Sequence, residues 1–135
     1  MEIEKAKLKI NTSKKFQIID ITSKINDFCE IRNGIVNIFT KHSTSAIVVN
    51  ENESGLLNDF ERTLENLIPH NNSYSHDKID NNANSHLKSF LLSSSETLPV
   101  INSKLDLGTW QSVFFVELDG ARNSRTIDLT FIGEK

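Results

Sequence analysis

Four histidines, one cysteine and a group of hydroxyl residues are the side chains of this sequence with most chemistry to offer. The most telling stretch is Thr40-Lys41-His42-Ser43-Thr44-Ser45-Ala46, set between two apolar runs, Ile35 to Phe39 and Ala46 to Val49. Polar groups between buried strands cost stability unless they are paired or used. Hydroxyls that bond their own backbone in a turn are one outcome; a binding site is the other. His76 lies in a long polar loop, and His86 opens a helix. Imidazole is the commonest protein ligand for zinc-like ions. Three imidazoles and a water make a catalytic type of site with one position open for substrate. The gaps of 34 and ten residues between these histidines match no local zinc motif, so spacing alone does not define a metal site.

Other residues carry paired readings. Glu51 is a general base if it faces His42, and otherwise an acid at a helix N-terminus. Trp110 beside Gln111 lines a pocket or packs a strand entry. Arg122 and Arg125 flank a turn, where they clamp a phosphate bidentately or stay solvated. Cys29 reads as a small core residue and His70 as a solvated loop residue. No glycine-rich phosphate loop is present, and Gly55 alone is no such signal.

The elements that must position these residues follow from periodicity. Lys5, Lys7 and Lys9 alternate with Ala6, Leu8 and Ile10, which predicts an edge strand over 2–10. With Phe16, Ile18 and Ile19 beyond a turn, residues 2–21 read as a hairpin. A short helix carries Ile25, Phe28 and Cys29. Strands follow at Ile35–Phe39 and Ala46–Val49. Leu56, Leu57, Phe60, Leu64, Leu67 and Ile68 recur at helical steps, which predicts a helix over 54–68, closed by Pro69. Residues 70–82 form the longest irregular stretch, of a kind that is functional or disordered. A helix starts near Ala83, with Leu87, Phe90 and Leu91 inward and His86 on the same side. Leu98–Ile101 is a short strand, with Pro99 at an edge or end. Val113 to Leu118 reads as a strand buried on both faces, and Ile127, Leu129 and Phe131 alternate along the last strand. The sum is a single compact α+β domain over residues 1–135, a mostly antiparallel sheet or sandwich with about three helices.

Composition bounds the function. A chain of 135 residues, 37% hydrophobic and 24% charged, suits one globular domain. A net charge of -3 offers no basic face for nucleic acid. One cysteine allows no internal disulfide. Met1-Glu2-Ile3-Glu4 opens no signal peptide, and no apolar run approaches the roughly 20 residues of a membrane helix. A cytoplasmic protein is the expectation.

Taken together, the motifs resemble one family. They are His42-Ser43-Thr44-Ser45-Ala46, Asn50-Glu51-Asn52, Leu67-Ile68-Pro69, Asp80 to Lys88, Ser94-Ser95, Pro99-Val100, Leu107-Gly108-Thr109-Trp110-Gln111, and Asp119-Gly120 with Arg122. In this order they resemble the YjbQ-like family, whose members carry a secondary thiamine-phosphate synthase label. The resemblance implies a compact α+β fold that forms a homotrimer. It also implies a zinc-like divalent metal on His42, His76 and His86 near a subunit interface. Ser43, Thr44, Trp110, Gln111 and Arg122 are the substrate-binding candidates on the matching motifs, and Glu51 is the catalytic one.

The implied reaction joins a hydroxymethylpyrimidine diphosphate to a thiazole phosphate and releases pyrophosphate. Such enzymes usually hold magnesium on carboxylates, because magnesium prefers oxygen ligands. A three-histidine site fits a metal-activated water better. Two alternatives therefore stand beside the transferase. One is a metal-dependent hydrolase of a small phosphorylated metabolite. The other is a trimeric metal- or ligand-binding module without turnover. The chain departs from the family pattern at Asn81 and Asn84, where Asp is common, at Ser93 for Gly, and at Ala121 for Pro.

Overall fold

The computed structural model describes all 135 residues, Met1–Lys135. Eight strands and three α-helices follow the order β1 Glu2–Ile10, β2 Gln17–Asp20, α1 Thr22–Phe28, β3 Asn33–Thr40, β4 Ser45–Glu51, α2 Ser54–Leu67, α3 Ala83–Leu92, β5 Ser95–Ile101, β6 Lys104–Leu105, β7 Gln111–Glu117 and β8 Arg125–Glu134. A single 3₁₀ turn, Ser75–Lys78, interrupts the long polar loop. The strands form two sheets in which every pair is antiparallel, β1-β8-β3-β5-β6 and β2-β7-β4. The α+β expectation holds, with three α-helices.

The two sheets pack face to face. Leu8 and Ile10 from β1, Val36 and Ile38 from β3, and Ile127, Leu129 and Phe131 from β8 meet Ile47 of β4 with Val113 and Phe115 of β7. Each belongs to the inward set of an alternating strand, as the period of two requires. Ile25 of α1 joins them. The other face of the smaller sheet presents Ala46, Val116 and Leu118, which Phe60 of α2 and Leu92 of α3 cover. So β7 has apolar neighbours on both sides, and its residues Val113 to Glu117 are all buried. A fully buried phenylalanine such as Phe115 contributes up to about 3 kcal/mol by burial.

The N-terminal hairpin does not form. β1 pairs along its whole length with β8, Glu2 opposite Gly133 and Ile10 opposite Arg125. β2 pairs with β7 in the other sheet. The intervening segment is committed elsewhere: the Thr12 N–H donates to the Arg122 carbonyl at 2.8 Å. That bond carries the chain from one sheet to the other. β1 is an edge strand as expected, with Lys5, Lys7 and Lys9 outward.

The face of α3 is also corrected. Ala83, Asn84, Ser85 and Lys88 are buried, while Leu87, Phe90 and Leu91 point outward, Phe90 with 85% of its surface exposed. The polar side chains go in because each finds a partner there. Ser85 Oγ donates to the Leu118 carbonyl at 2.6 Å, and Lys88 Nζ donates to Glu65 Oε2 at 2.8 Å. Asn84 Oδ1 lies 3.3 Å from His70 Nδ1. His70 is therefore packed against α3 and half-buried, not a freely solvated loop residue.

Ser93 ends α3 with φ of 81° and ψ of 157°, a region that glycine alone adopts at ease. Ser93→Gly should raise stability by about 1 kcal/mol, seen as a higher midpoint in urea with an unchanged slope. An unchanged or lower midpoint would show that the Ser93 side chain compensates for its backbone.

Candidate functional site

The site is built on a buried ion pair. Glu117 closes β7 with no exposed surface, and Arg125 opens β8 on the same inward face as Ile127, Leu129 and Phe131. Arg125 Nε donates to Glu117 Oε1 at 2.9 Å, and its Nη2 pairs with Oε2. Thr12 Oγ1 and the Asp119 N–H donate to the same carboxylate at 2.7 and 3.1 Å. Burial opposes ionisation of Glu117. The bonds from Arg125, Thr12 and the Asp119 amide outweigh it and hold the carboxyl below its ordinary value of 4.5. Arg125 was expected on a solvated turn; its parity along β8 takes it into the interior.

The same arginine supports the histidine loop. Arg125 Nη2 donates to Thr44 Oγ1 at 3.0 Å, and the Leu118 N–H donates to the Thr44 carbonyl at 3.1 Å. Ser45 Oγ donates to the His42 carbonyl at 2.8 Å. The Thr126 N–H, one residue beyond Arg125, donates to His42 Nε2 at 3.0 Å. The hydroxyl stretch divides between two environments. Thr40, Thr44 and Ser45 bond inside the fold, and His42 and Ser43 face a cleft.

That cleft has a volume of about 450 Å³. It lies between the β3–β4 turn, α3 and the start of β5. Lys41, His42 and Ser43 form one wall; His86 and Ser89 on α3 form another, with Ser93 and Ser94 between them. No carboxylate lines it. Ser89 Oγ ties α3 to β4 by donating to the Ser45 carbonyl at 2.7 Å. Burial, then the positive charge of Arg125, holds the His42 imidazole below its ordinary value of 6.5. Arg122 acts on it in the same direction.

His86 also faces the side of α3 toward His76. The two rings stand edge to face, 4.9 Å between centroids at 84°. His76 Nε2 is shielded from solvent and has no hydrogen-bond partner; Asp80 Oδ2 is 3.9 Å away, beyond hydrogen-bond reach. Such an edge-to-face contact is the ordinary packing of two aromatic rings. His42 lines the same cleft as His86, but no three His, Cys, Asp or Glu side chains converge closely enough to form a complete ligand set.

Three expected site residues lie elsewhere. Glu51 ends β4, six residues from Ser45, which is about 20 Å along a strand. It borders a small apolar pocket beneath α2 with Val48, Leu56 and Phe60. Gln111 pairs with Glu51 across the sheet, and Trp110 precedes it in an exposed turn. The Gln111 side chain accepts the Gly108 N–H at 2.8 Å. Arg122 stays near the histidine end, held to Asp119 at 3.1 Å. Asp119 also accepts from Asn82 at 2.9 Å and pairs with Lys15, which ties the turn to the start of α3. The turn packs closely: a Cβ on Gly120 would meet the Lys14 carbonyl oxygen at 2.0 Å.

A two-sheet α+β domain with a polar, histidine-bearing cleft at one end of its smaller sheet is the class these observations define. The chain belongs to the YjbQ-like UPF0047 family, whose model matches residues 6–134. A UPF0047 protein of Methanothermobacter thermautotrophicus is 56% identical over 128 residues, covering 93% of this chain and 90% of the relative. A Bacillus subtilis UPF0047 protein is 32% identical over 130 residues, covering 93% of this chain and 97% of the relative. The crystal structure of a YjbQ-like protein of unknown function from Sulfolobus solfataricus P2 is 38% identical, with a TM-score of 0.95 over 98% of this chain and 99% of that one.

Proposed function

We propose that the chain binds a small phosphorylated metabolite in the cleft between His42 and His86 and hydrolyses its phosphate ester. One observation carries this reading: the lining offers five hydroxyls, two imidazoles and a lysine, and no carboxylate. Such a lining welcomes an anion and repels none. The volume suits a small ligand. A divalent ion on His76 and His86 would activate a water and neutralise charge at the phosphate. His42 binds and orients the phosphate; Ser43 and Ser94 donate to its oxygens; Arg122 adds positive potential from the neighbouring turn. Glu51 has no part in this step, because it lies at the far end of β4.

Transfer of a hydroxymethylpyrimidine from its diphosphate to a thiazole phosphate is the second reading. It uses the same anion site, and the cleft has room for a diphosphate. The absence of lining carboxylates supports it less, since magnesium chemistry usually needs them. The reading extends to assembly: Leu87, Phe90 and Leu91 make an exposed apolar patch beside the cleft, of the kind that a second copy covers. A homotrimer of about three times 15.3 kDa is expected by solution mass measurement. No helix is long and apolar enough to cross a membrane, and an unpaired Cys29 suits a cytoplasmic setting.

Turnover is the test. Phosphate release from a panel of phosphomonoesters, and thiamine phosphate formation from its two precursors, are assayed with wild type and His86→Ala in zinc, manganese or magnesium. Phosphate release that His86→Ala loses supports hydrolysis. Thiamine phosphate formation alone moves the assignment to the transferase. Tight phosphate binding with neither product leaves a ligand-binding module.

A further inference from the structure

The polar cleft does not end at its own wall. Lys41, which lines it, also lines a depression of about 340 Å³ on the outer face of the larger sheet. The alternation that sends Leu8 and Ile10 inward sends Lys5 and Lys7 outward on β1. Lys5 stands opposite Thr130, and Lys7 opposite Asp128, on β8. On its other side Asp128 is opposite Phe39 of β3, which lines the cleft. Asp128 therefore joins the two hollows. Its Oδ1 accepts from Lys7 Nζ at 2.9 Å, and its Oδ2 lies 3.1 Å from Lys41 Nζ. The bond from Lys7, helped by that from Lys41, holds the Asp128 carboxyl below its ordinary value of 3.8. One ionised carboxylate thus gathers two ammonium groups at the edge of the cleft.

Lysine on an edge strand also guards against sheet extension. That accounts for β1. It does not account for Lys41, which follows β3 in the middle of the sheet, or for a carboxylate on the strand between them. Lys5, Lys7 and Lys41 face one acid here, in a chain whose formal net charge is -3. Three cations less one anion leave a positive surplus close to the charge of one phosphate monoester at neutral pH.

We propose that the substrate is a small bisphosphate, with one phosphate in the cleft and the second held outside it by Lys7 and Lys41, and that Lys7 selects two phosphates over one. The inference rests on the phosphate reading of the cleft and names its substrate class. An ammonium on a flexible stem suits an outer group, because it holds a phosphate as a point charge without fixing its orientation. Asp128 keeps Lys7 turned across β8 toward the cleft, and its own charge moderates the affinity.

Calorimetry on the full chain compares 1,6-hexanediol bisphosphate with hexyl phosphate, which has the same carbon chain and one phosphate fewer. Wild type should bind the bisphosphate about tenfold more tightly, and high salt should shrink this preference. Lys7→Met should cut the preference to about threefold or less and change hexyl phosphate affinity by less than about threefold, since Lys7 lies outside the cleft. Asp128→Asn keeps an acceptor for one ammonium and removes the negative charge, so it should widen the preference. Lys104→Met, on β6 at the other edge of the larger sheet, should leave the preference as in wild type, which separates a local subsite from the general charge of the protein. Equal affinity for the two ligands in wild type, or equal effects of Lys7→Met and Lys104→Met, overturns the inference and leaves the phosphate site in place. Failure of both ligands to bind wild type overturns the proposed function as well.

Discussion

Arg125→Met is expected to cost about 3–5 kcal/mol, because it leaves the Glu117 carboxylate buried without its charged partner. For a chain of this length that corresponds to a fall of roughly 10–18 °C in Tm. Glu117→Gln should be milder. The amide keeps the Thr12 bond and one bond from Arg125 but loses the charge. The pH dependence follows from the same carboxylate. Its folded-state pKa lies below the ordinary 4.5, so its contribution is complete above that value and is lost as pH falls through the lowered one. Acid unfolding of wild type should therefore steepen below pH 4.5, and Glu117→Gln should flatten that limb. Replacing both Glu117 and Arg125 by methionine removes the buried charge altogether and should recover much of the stability that Arg125→Met alone loses. A double variant as unstable as Arg125→Met would show that the unpaired carboxylate is not the source of the loss.

Ser43→Asp is the second large effect. Ser43 is exposed at the cleft wall, so the change should alter stability by less than about 0.5 kcal/mol. It places a carboxylate among donors in a lining that has none. Like charges about 4 Å apart repel by roughly 1–4 kcal/mol between the limits of water and protein surface. Affinity for phosphate should fall about tenfold to a hundredfold, while Ser43→Asn stays within threefold. The effect should shrink in high salt. Equal losses in the two variants would mean that shape rather than charge is recognised at this wall.

Much of the fold was legible because its strands keep strict parity. The alternation of Ile127, Leu129 and Phe131, the apolar run of β7 and the period of α2 each identify an element and a face. Pairing was not legible in the same way. β1 and β2 are neighbours in sequence, but nothing local records that Thr12 bonds the β7–β8 turn and sends the chain between sheets. The face of α3 was misread for a physical reason: apolar residues are expected inward, yet here buried hydroxyl, amide and ammonium groups all find partners.

Within the site, the His42 and His86 motifs pointed to one cleft. Arg125 was read as a turn residue, and its buried pairing with Glu117 was missed although the signal was present. It shares the inward parity of β8, and an acid at the end of a fully buried strand needs a cation. Of the cleft serines, Ser94 lies in a matched motif and Ser93 at a departure from the family pattern, while Ser89 carries no signal beyond composition. Trp110, Gln111 and Glu51 were singled out by residue type and then by motif, and neither records that β4 and β7 carry these residues to the opposite end of the sheet.

The most direct test of the account is where a phosphate ester binds. Amide spectra of the isotope-labelled protein, titrated with phenyl phosphate, report every residue at once. Saturable shifts are expected at Ser43, His86, Ser89, Ser93 and Ser94, with the His42 ring nitrogens, followed in long-range proton–nitrogen spectra, moving in the same titration. No saturable shift, or saturation at residues that leave both walls of this cleft untouched, would contradict it.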